Sequence, residues 1–376
     1  MPIYKMDGKK DGKQRYRVRI NYQDSYGKSK QIDRVALGLE EAKLLEAELK
    51  QSVKEQTSGK ALTVRQLFEE YTRFKKYEVR ETSLDKTKRV LEYHVLPTLE
   101  DVKIHKLTVP ILQKWKLTME EKNLALTTRQ NAFGEFRALL GYAVKMEYLP
   151  QNPLTKVGNF RSTTILKEEM GFYTAEEFKA FIQAARECAI EQEERQDMSE
   201  WHYYMFFMIA FYTGLRKGEI HGLQWDDIDG KHISVRRSVA QKLKGGDRIT
   251  PPKNKSSIRT LQLPQPLIAA LDEHKKRCKR LDGFADNLKI CGGQTPLRDS
   301  TIQKRNVKYS GLAKQNTLRI HDFRHSHASL LANEGINIQE IARRLGHSKI
   351  EITWNTYAHL YPREEERAVQ VLDKIV

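Results

Sequence analysis

The sequence predicts a mainly α-helical protein of several domains with small antiparallel β-sheets, an α+β fold. Apolar residues recur at helical spacing through most of the chain, whereas apolar and polar residues alternate strictly only in short regions near residues 15–35 and 228–263. The length of 376 residues exceeds that of one ordinary domain. Polar stretches at residues 51–60 and 151–170 have the composition of linkers. We therefore expect domains at residues 1–57, 62–158 and 170–376.

The charge balance favours a polyanionic partner. The chain carries 66 Lys and Arg against 49 Asp and Glu, a net charge of +17. Binding to a nucleic acid exploits such an excess, because neutralising phosphates releases condensed counterions. A basic surface that only keeps the protein soluble is the alternative. Apolar residues make up 39% of the chain, so we expect folded domains rather than extended disorder.

Cysteine usage and hydropathy indicate a cytoplasmic protein. Three cysteines, Cys188, Cys278 and Cys291, occur without a CxxC pair, which predicts neither a zinc site nor a disulfide framework. The N-terminus lacks the apolar core of a signal peptide. Apolar runs such as residues 203–212 are too short to span a bilayer. We expect no membrane partner.

The first domain is predicted to be a small ββ(β)α unit with a basic sheet face. A second strand is expected near Ile32 and Val35, followed by a helix over residues 39–53. A two- or three-stranded ribbon can enter the major groove of DNA, although an arginine-rich edge can also serve solubility alone. The alternating residues of the first strand are Arg15, Arg17 and Arg19 on one face and Tyr16, Val18 and Ile20 on the other.

The second domain is predicted to be an all-helical unit that clamps DNA. Thr63 and Gln66 form a capping box before an amphipathic helix, and further helices are expected at residues 83–94, 109–123 and 127–146. Basic side chains, of which Lys86 and Arg129 are our candidate DNA contacts, accompany the apolar stripes. The same charged faces could equally be solvated surface.

The third domain contains the residues suited to chemistry. A second capping box, Thr174 with Glu177, opens a domain that is helical except for a small sheet within residues 228–263. Phosphoryl transfer needs positioning, charge stabilisation and proton handling. The residue types that meet these needs occur in five segments in the order Arg216, Lys253, His321 with Arg324, His347 and Tyr357.

Each of these residues also has an ordinary structural interpretation. Arg216 could pair with Glu219, and Tyr357 could be a core aromatic residue. Residues 338–359 could form a DNA-binding helix-turn-helix with Gly346 in its turn. Three histidines within residues 321–327 suggest a metal site. Their spacing does not place them on one helix face, however, and no acidic segment accompanies them. We therefore expect no metal.

Three motifs together change this assessment. They are TGLRKGE at residues 213–219, HDFRHSHAS at residues 321–329 and LGHSKIEITWNTYAH at residues 345–359. In order and spacing they closely resemble the signature of the tyrosine recombinase (phage integrase) family, as found in integrases of phages and integrative mobile elements. The resemblance is strong over residues 170–376 and weaker over residues 62–158. Over residues 1–57 it rests on pattern alone, similar to the arm-site-binding domain of such integrases.

The resemblance implies roles for the basic residues. Arg216 and Arg324 would bind the scissile phosphate and stabilise the charge of the transition state. His347 would donate a hydrogen bond to a phosphate oxygen. Lys253 would protonate the departing 5′-oxygen, because an alkoxide is a poor leaving group. Lys255 lies two residues away and could take the same role.

The resemblance also implies the nucleophile. Tyr357 would attack the phosphate and form a covalent 3′-phosphotyrosine, and His321 would accept or relay its proton. Tyr361 is the alternative nucleophile, disfavoured because Pro362 follows it. No metal or other cofactor is implied, and rejoining needs no ATP, because the phosphotyrosine keeps the energy of the broken bond.

The implied partners are double-stranded DNA and further copies of the chain. The expected activity is integration and excision of a mobile element in a bacterial cell, by a homotetramer on core attachment sites with separate arm sites, aided in some systems by accessory DNA-bending proteins. The apolar residues after Pro362 could dock on a neighbouring protomer or on their own domain. A type IB topoisomerase and a DNA-binding regulator are the competing classes.

Overall fold

A computed structural model describes residues 3–10, 12–23, 29–57, 62–161, 170–241, 246–250, 255–361 and 369. The chain forms two compact units, Met1–Leu166 and Lys167–Val376. Both units consist mostly of helices with small antiparallel sheets, so the predicted fold class is confirmed. In the part of the chain that the structure describes, none of the helices is long and apolar enough to cross a membrane.

The chain begins with a three-stranded antiparallel sheet and a helix. The strands are β1 (Ile3–Lys10), β2 (Lys13–Gln23) and β3 (Ser29–Leu37), in the order β1-β2-β3, and α1 (Leu39–Thr57) follows. Val18, Ala36 and Ala42 form the small core between sheet and helix. The predicted ββ(β)α unit is therefore confirmed, with the optional third strand present. The expected linker after residue 50 is wrong in its first part, because α1 continues to Thr57.

The alternation along β2 produces the predicted two faces. Val18 and Ile20 are buried against the helix, and the arginines point to the opposite face. There, Asp33 of the neighbouring strand β3 binds two of them. Its carboxylate lies 3.0 Å from Arg19 Nη2 and 3.5 Å from Arg17 Nε. The basic face is thus an ordered array in which one carboxylate orients two guanidinium groups.

A helical bundle completes the first unit. Its helices are α2 (Val64–Lys75), α3 (Glu81–His94), α4 (Leu96–Leu99), α5 (Val109–Glu121), α6 (Leu126–Lys145) and α7 (Leu154–Val157). The predicted capping box begins α2: Thr63 N donates to Gln66 Oε1 (2.9 Å) and Gln66 N donates to Thr63 Oγ1 (3.2 Å). Trp115 and Phe136 lie in the core of the bundle.

The polar stretch at residues 151–170 is only partly a linker. Residues 151–161 pack on the bundle, where Phe160 is buried and stacks edge-on against Trp115 at 6.3 Å between ring centroids. A short helix, α7, lies within this segment, and Asn152 Nδ2 donates to the carbonyl of Arg137. The prediction failed here because only three buried apolar residues, at every third position from Leu154 to Phe160, mark the packed part, which is too few to reveal a helical pattern.

The second unit is built around helix α9. Its helices are α8 (Ala175–Glu194), α9 (Ser199–Thr213), α10 (Lys217–Gly222), α11 (Gln265–Cys278), α12 (Asp299–Leu312), α13 (Asp322–Asn333), α14 (Ile338–Leu345) and α15 (Ile350–Tyr357). The sequence of α9 is apolar on all sides, and Phe206, Phe207 and Ile209 are fully buried. The predicted capping box of Thr174 and Glu177 begins α8.

The strands of the second unit form two small sheets. They are β4 (Ile228–Asp229), β5 (His232–Val235), β6 (Ser238–Ala240), β7 (Arg248–Thr250) and β8 (Arg259–Gln262). One sheet has the order β4-β5-β8, and the other pairs β6 with β7. The predicted antiparallel structure within residues 228–263 is confirmed, but after Val235 the chain leaves the first sheet and forms the second.

A glycine turn joins α9 to α10. Gly214 ends α9 in the left-handed conformation, with φ of +62°. A Cβ atom at this position would lie 2.7 Å from His327 Cδ2 and 2.9 Å from Leu345 Cδ2. Both the backbone conformation and the close packing therefore require glycine.

Replacement of Gly214 by alanine should lower the free energy of unfolding more than the same replacement at a glycine that has a positive φ but no close neighbours. Gly230 has φ of +53°, and a Cβ atom added there would meet none of the described residues within 4 Å, so it is a matched control. We expect Gly230→Ala to lower the free energy of unfolding by about 1–2 kcal/mol, and Gly214→Ala by about 1–3 kcal/mol more because of overpacking. Urea unfolding of both variants measures the difference, and equal losses would contradict the packing argument.

Candidate active site

The turn after Gly214 places Arg216 at the start of α10. Its Nη1 lies 2.9 Å from Glu219 Oε1, and its Nη2 lies 3.4 Å from the carbonyl oxygen of Gly346. The pairing with Glu219 that the sequence allowed is therefore present. The Arg216 side chain nevertheless remains 38% exposed, so that an incoming anion can reach it.

Glu219 binds a second arginine that the sequence motifs did not single out. Arg259, on β8, lies 3.0 Å from Glu219 Oε2 and also donates to the carbonyl of Arg344 at 2.7 Å. The side chains of Arg259 and Glu219 are almost fully buried. Burial opposes ionisation of Glu219, but Arg259 and Arg216 outweigh it and hold its pKa below the ordinary value. Arg259 lies outside the three sequence motifs, and its spacing from them gives no sign of this contact.

Arg324, on α13, occupies the centre of the site. Its guanidinium donates to the carbonyl oxygens of Gly214 (2.7 Å) and Leu345 (2.8 Å) and to His347 Nε2 (2.8 Å). The side chain is buried. Burial, followed by the charge of Arg216, lowers its pKa to about 9, so it stays charged at neutral pH. Arg216 and Arg324, two of the candidate site residues, lie close enough for the charge of one to affect the pKa of the other.

Three guanidinium groups thus lie close to the carboxylate of Glu219. Arg216 and Arg259 contact it, while Arg324 is bonded to neutral acceptors. Buried charge without a counter-ion is costly, and an anion that enters the site relieves that cost. The electrostatics therefore suit a phosphate diester.

His347 lies between Arg324 and the helix α15. Its ring follows Gly346, which ends α14 in the left-handed conformation. The second ring nitrogen, Nδ1, lies 2.7 Å from Oγ1 of Thr353. Burial, followed by the charges of Arg324 and Arg216, lowers the pKa of His347 to about 4, so the ring is neutral at neutral pH. Thr353 is a second residue that the sequence motifs did not single out.

Tyr357 ends α15 with its side chain buried against α13. The phenolic oxygen lies 2.6 Å from Nδ1 of His325. Burial raises the pKa of Tyr357 to about 12, although the charge of Arg324 acts in the opposite direction. The phenol is therefore protonated, and its hydroxyl is bonded to an imidazole that can accept the proton.

The histidine in contact with Tyr357 differs from the one that the sequence suggested. His321, assigned to the tyrosine proton by resemblance, lies one helical turn before His325, and their rings meet edge to face at 5.0 Å between centroids. The contact with Tyr357 is made by His325. Which imidazole contacts Tyr357 depends on how α15 packs on α13, and the spacing of residues in the sequence does not reveal that packing.

Several candidate residues lie wholly or partly outside the residues that the structure describes. Lys253 lies outside the described residues, as does the side chain of Lys255, so the choice between them stays a prediction. Residues 362–368 and 370–376, which contain most of the predicted docking tail, also lie outside them. Tyr361, the alternative nucleophile, donates its hydroxyl to the carbonyl of Ile336 at 2.6 Å.

The candidate DNA contacts lie in the first unit. Lys86 is exposed on α3, and the guanidinium of Arg129 lies over the ring of Phe160 at 5.6 Å. Arg15, Arg17 and Arg19 lie on the outer face of β2. Their contacts with DNA stay predictions.

The histidines of α13 do not converge on one point. His327 Nδ1 lies 2.8 Å from the carbonyl of Phe211, in the interior, whereas His325 Nδ1 contacts Tyr357. A separate group, His202, His274 and Cys278, was not visible in the cysteine spacing, and its ligand atoms lie within 4.8 Å of one another.

That separate group is organised by a backbone carbonyl. His274 Nε2 and His202 Nδ1 lie 3.0 Å and 3.4 Å from the carbonyl oxygen of Ile290. Each of these hydrogen bonds engages one nitrogen of its imidazole and leaves the other nitrogen of the ring with a lone pair. Burial lowers the pKa of both histidines, so the two rings of this cluster are neutral.

The fold and this site define the class of protein: a site-specific DNA recombinase of the tyrosine type. Residues 172–364 match the phage integrase family, and residues 63–118 match the N-terminal SAM-like domain of phage integrases. The chain belongs to the phage integrase family.

Individual relatives agree with this assignment. The ICEBs1 integrase of Bacillus subtilis (strain 168) is 29% identical, over 91% of this chain and 92% of the relative. An XerC-like tyrosine recombinase of Caldanaerobacter subterraneus is 29% identical, over 69% of this chain and 68% of the relative.

Solved structures share the fold. The Tn1549 transposon integrase bound to a circular intermediate DNA superposes with a TM-score of 0.66 at 22% identity, over 84% of this chain and 100% of that one. A lambda integrase tetramer bound to a Holliday junction gives a TM-score of 0.56 at 17% identity, over 93% and 96% of the two chains.

Removal of the Glu219 charge should destabilise the site. Glu219→Gln leaves Arg259 buried without its counter-ion, and we expect the free energy of unfolding to fall by about 3–5 kcal/mol. Glu340→Gln is the matched control, because its partner Arg343 is 57% exposed, and exposed pairs contribute about 0–1 kcal/mol. Urea unfolding compares the two variants. A similar small loss in both would show that the buried network is not a stabilising unit.

Proposed function

We propose that Tyr357 cleaves DNA by attack on a phosphate held by Arg216 and Arg324. The observation that carries this proposal is the arrangement around Arg324. The Tyr357 hydroxyl is bonded to an imidazole on the same helix as Arg324. Positive charge is in excess there, because Arg216 and Arg259 share the single carboxylate of Glu219 and Arg324 is bonded to neutral acceptors. Preorganised charge of this kind stabilises a transition state, because it needs no rearrangement when negative charge develops on the phosphate.

The proposed step transfers one phosphoryl group from the 5′-oxygen to Tyr357, and two proton transfers accompany it. A bond forms between Tyr357 Oη and phosphorus, and the bond between phosphorus and the 5′-oxygen breaks. The tyrosine proton passes to His325 Nδ1, which already lies 2.6 Å from the hydroxyl. The departing 5′-oxygen takes a proton from a lysine, for which Lys253 is the candidate by resemblance. The second step reverses the first with a new 5′-hydroxyl.

His325 can accept this proton because its ring is neutral. Burial lowers the pKa of His325 from its ordinary value; Asp322 opposes the shift, and Arg324 adds to it. The imidazolium that forms during attack is stabilised by the nearby Asp322 carboxylate. We therefore propose His325 in place of His321 as the proton acceptor, because His325 is the imidazole that contacts the Tyr357 hydroxyl.

The proposed biological role is integration and excision of a mobile element in the bacterial cytoplasm. Relatives named as integrases of ICEBs1 and of Staphylococcus phage L54a support this role. Residues 62–158 would hold core attachment sites and residues 1–57 would bind separate arm sites. The tetramer seen for lambda integrase on a Holliday junction suggests four protomers around two DNA sites, with accessory DNA-bending proteins where the arm sites require them.

Loss of one hydroxyl should test the nucleophile. We expect Tyr357→Phe to bind a nicked attachment-site DNA normally and to form no covalent adduct on a denaturing gel, with EDTA present throughout. Tyr361→Phe is the matched control, because it removes one hydroxyl bonded to the carbonyl of Ile336, and its adduct should persist. An adduct that survives in the first variant and disappears in the second would move the nucleophile to Tyr361.

The pH dependence of cleavage should reveal the proton acceptor. A protonated His325 cannot accept the tyrosine proton, so the rate should be level near neutral pH and fall as the pH decreases through the pKa of His325, below 6.5. His325→Gln should lower the rate and remove this acid limb. His321→Gln should keep it. Single-turnover adduct formation across the pH range provides the measurement, and an acid limb that disappears only in His321→Gln would return the role to His321.

A further inference from the structure

The hydroxyl of Thr353 faces the His347 ring from inside the second unit. The side chain is fully buried, and Oγ1 lies 2.7 Å from His347 Nδ1. Thr353 precedes Tyr357 by one turn of α15, so both side chains lie on the same face of that helix. The hydrogen bond therefore fixes the imidazole relative to the helix that bears the nucleophile. Water cannot replace this partner without opening the core.

The position of the proton on His347 follows from its two partners. Arg324 Nη2 lies 2.8 Å from His347 Nε2, and a guanidinium can only donate hydrogen bonds. Nε2 is therefore a bare acceptor in the free protein. Since the ring is neutral, its single hydrogen is on Nδ1 and is donated to the Thr353 hydroxyl.

The hydrogen bond to a phosphate oxygen that the family resemblance implies for His347 needs the opposite arrangement. Donation to a phosphate oxygen requires a hydrogen on Nε2, because a phosphate oxygen has none to give. In a neutral ring, Nδ1 must then be bare and must accept a hydrogen bond. A hydroxyl can fill both roles, since it carries one donor and two acceptor lone pairs. The other route, a second proton on the ring, is disfavoured because burial, followed by the charges of Arg324, Arg216 and Arg259, lowers the pKa of His347 to about 4.

We propose that Thr353 is a positioning residue that lets His347 change tautomer when DNA enters the site. Its hydroxyl accepts from Nδ1 in the free protein and donates to Nδ1 when Nε2 turns from Arg324 to a phosphate oxygen. Nε2 takes one proton from solvent on the partly exposed side of the ring, and Nδ1 returns one to solvent while the ring turns, so the charge of the ring and the number of protons are unchanged. The hydroxyl keeps its own proton and only rotates. This inference rests on the proposed role of His347 in phosphate binding.

Two substitutions at Thr353 distinguish the contribution of its hydroxyl from the contribution of its shape. Thr353→Val keeps the shape and removes the hydroxyl, and we expect single-turnover adduct formation at saturating DNA to fall about 10- to 100-fold, as for other residues that orient a functional imidazole. Thr353→Ser should stay within a few-fold of the parent. Thr356→Val is the matched control, because that hydroxyl donates to the carbonyl of Ile352 in its own helix, at 2.8 Å.

A second measurement locates the proton directly. In the full chain labelled with ¹⁵N-histidine, the His347 signal, assigned by its loss in His347→Gln, should show hydrogen on Nδ1 without DNA. In Tyr357→Phe bound to uncleaved attachment-site DNA, it should show hydrogen on Nε2. Hydrogen on Nε2 in the free protein would overturn the proposal, and so would equal losses of rate in Thr353→Val and Thr353→Ser.

The outcomes also distinguish this inference from the proposed function. If Tyr357→Phe abolishes the adduct while Thr353→Val cleaves at the parental rate, only the tautomer change is refuted. If Tyr357→Phe still forms an adduct, the assignment of the nucleophile fails, whatever Thr353→Val does. Thermal unfolding of the three threonine variants shows whether a loss of rate is accompanied by a loss of structure.

Discussion

The buried guanidinium of Arg324 holds three segments of the second unit together. It bonds to the turn after α9 through Gly214, to the end of α14 through Leu345, and to His347 before α15. A buried cation must have its N–H groups satisfied, so each segment has to approach closely enough to offer an acceptor. This requirement explains the glycine at position 214, where a side chain would meet Leu345. The active site and the packing of this unit therefore depend on the same contacts.

The arginines of the free site are already held in place by hydrogen-bond acceptors. The acceptors of Arg324 are two carbonyl oxygens and one ring nitrogen, all partly negative and all within 2.8 Å. Glu219 supplies a full negative charge and is shared between Arg216 and Arg259. A phosphate that enters can replace weak acceptors with strong ones while the arginines keep their places. Affinity for the anion thus derives from the positive charge of the arginines that Glu219 alone does not neutralise.

Local signals in the sequence were reliable, whereas contacts between distant segments were not accessible. The capping boxes at Thr63 and Thr174 and the alternation along β2 depend on neighbours within a few residues, and all three are confirmed. The contacts made by Arg259, His325 and Thr353 depend on how β8, α13 and α15 pack, which spacing does not encode. The polar end of α1 was mistaken for a linker because Lys, Glu and Gln favour exposed helices as much as loops.

The three cysteines of the second unit are buried, and this makes the protein suitable for site-specific fluorescent labelling. Cys188, Cys278 and Cys291 are each less than a tenth exposed, and burial raises the pKa of Cys278 to about 11. Thiols in such surroundings react slowly with maleimides, because the thiolate is the reactive form. A single cysteine introduced on the surface can therefore carry a fluorophore without removal of the native three, which opens the exchange of DNA strands to single-molecule observation.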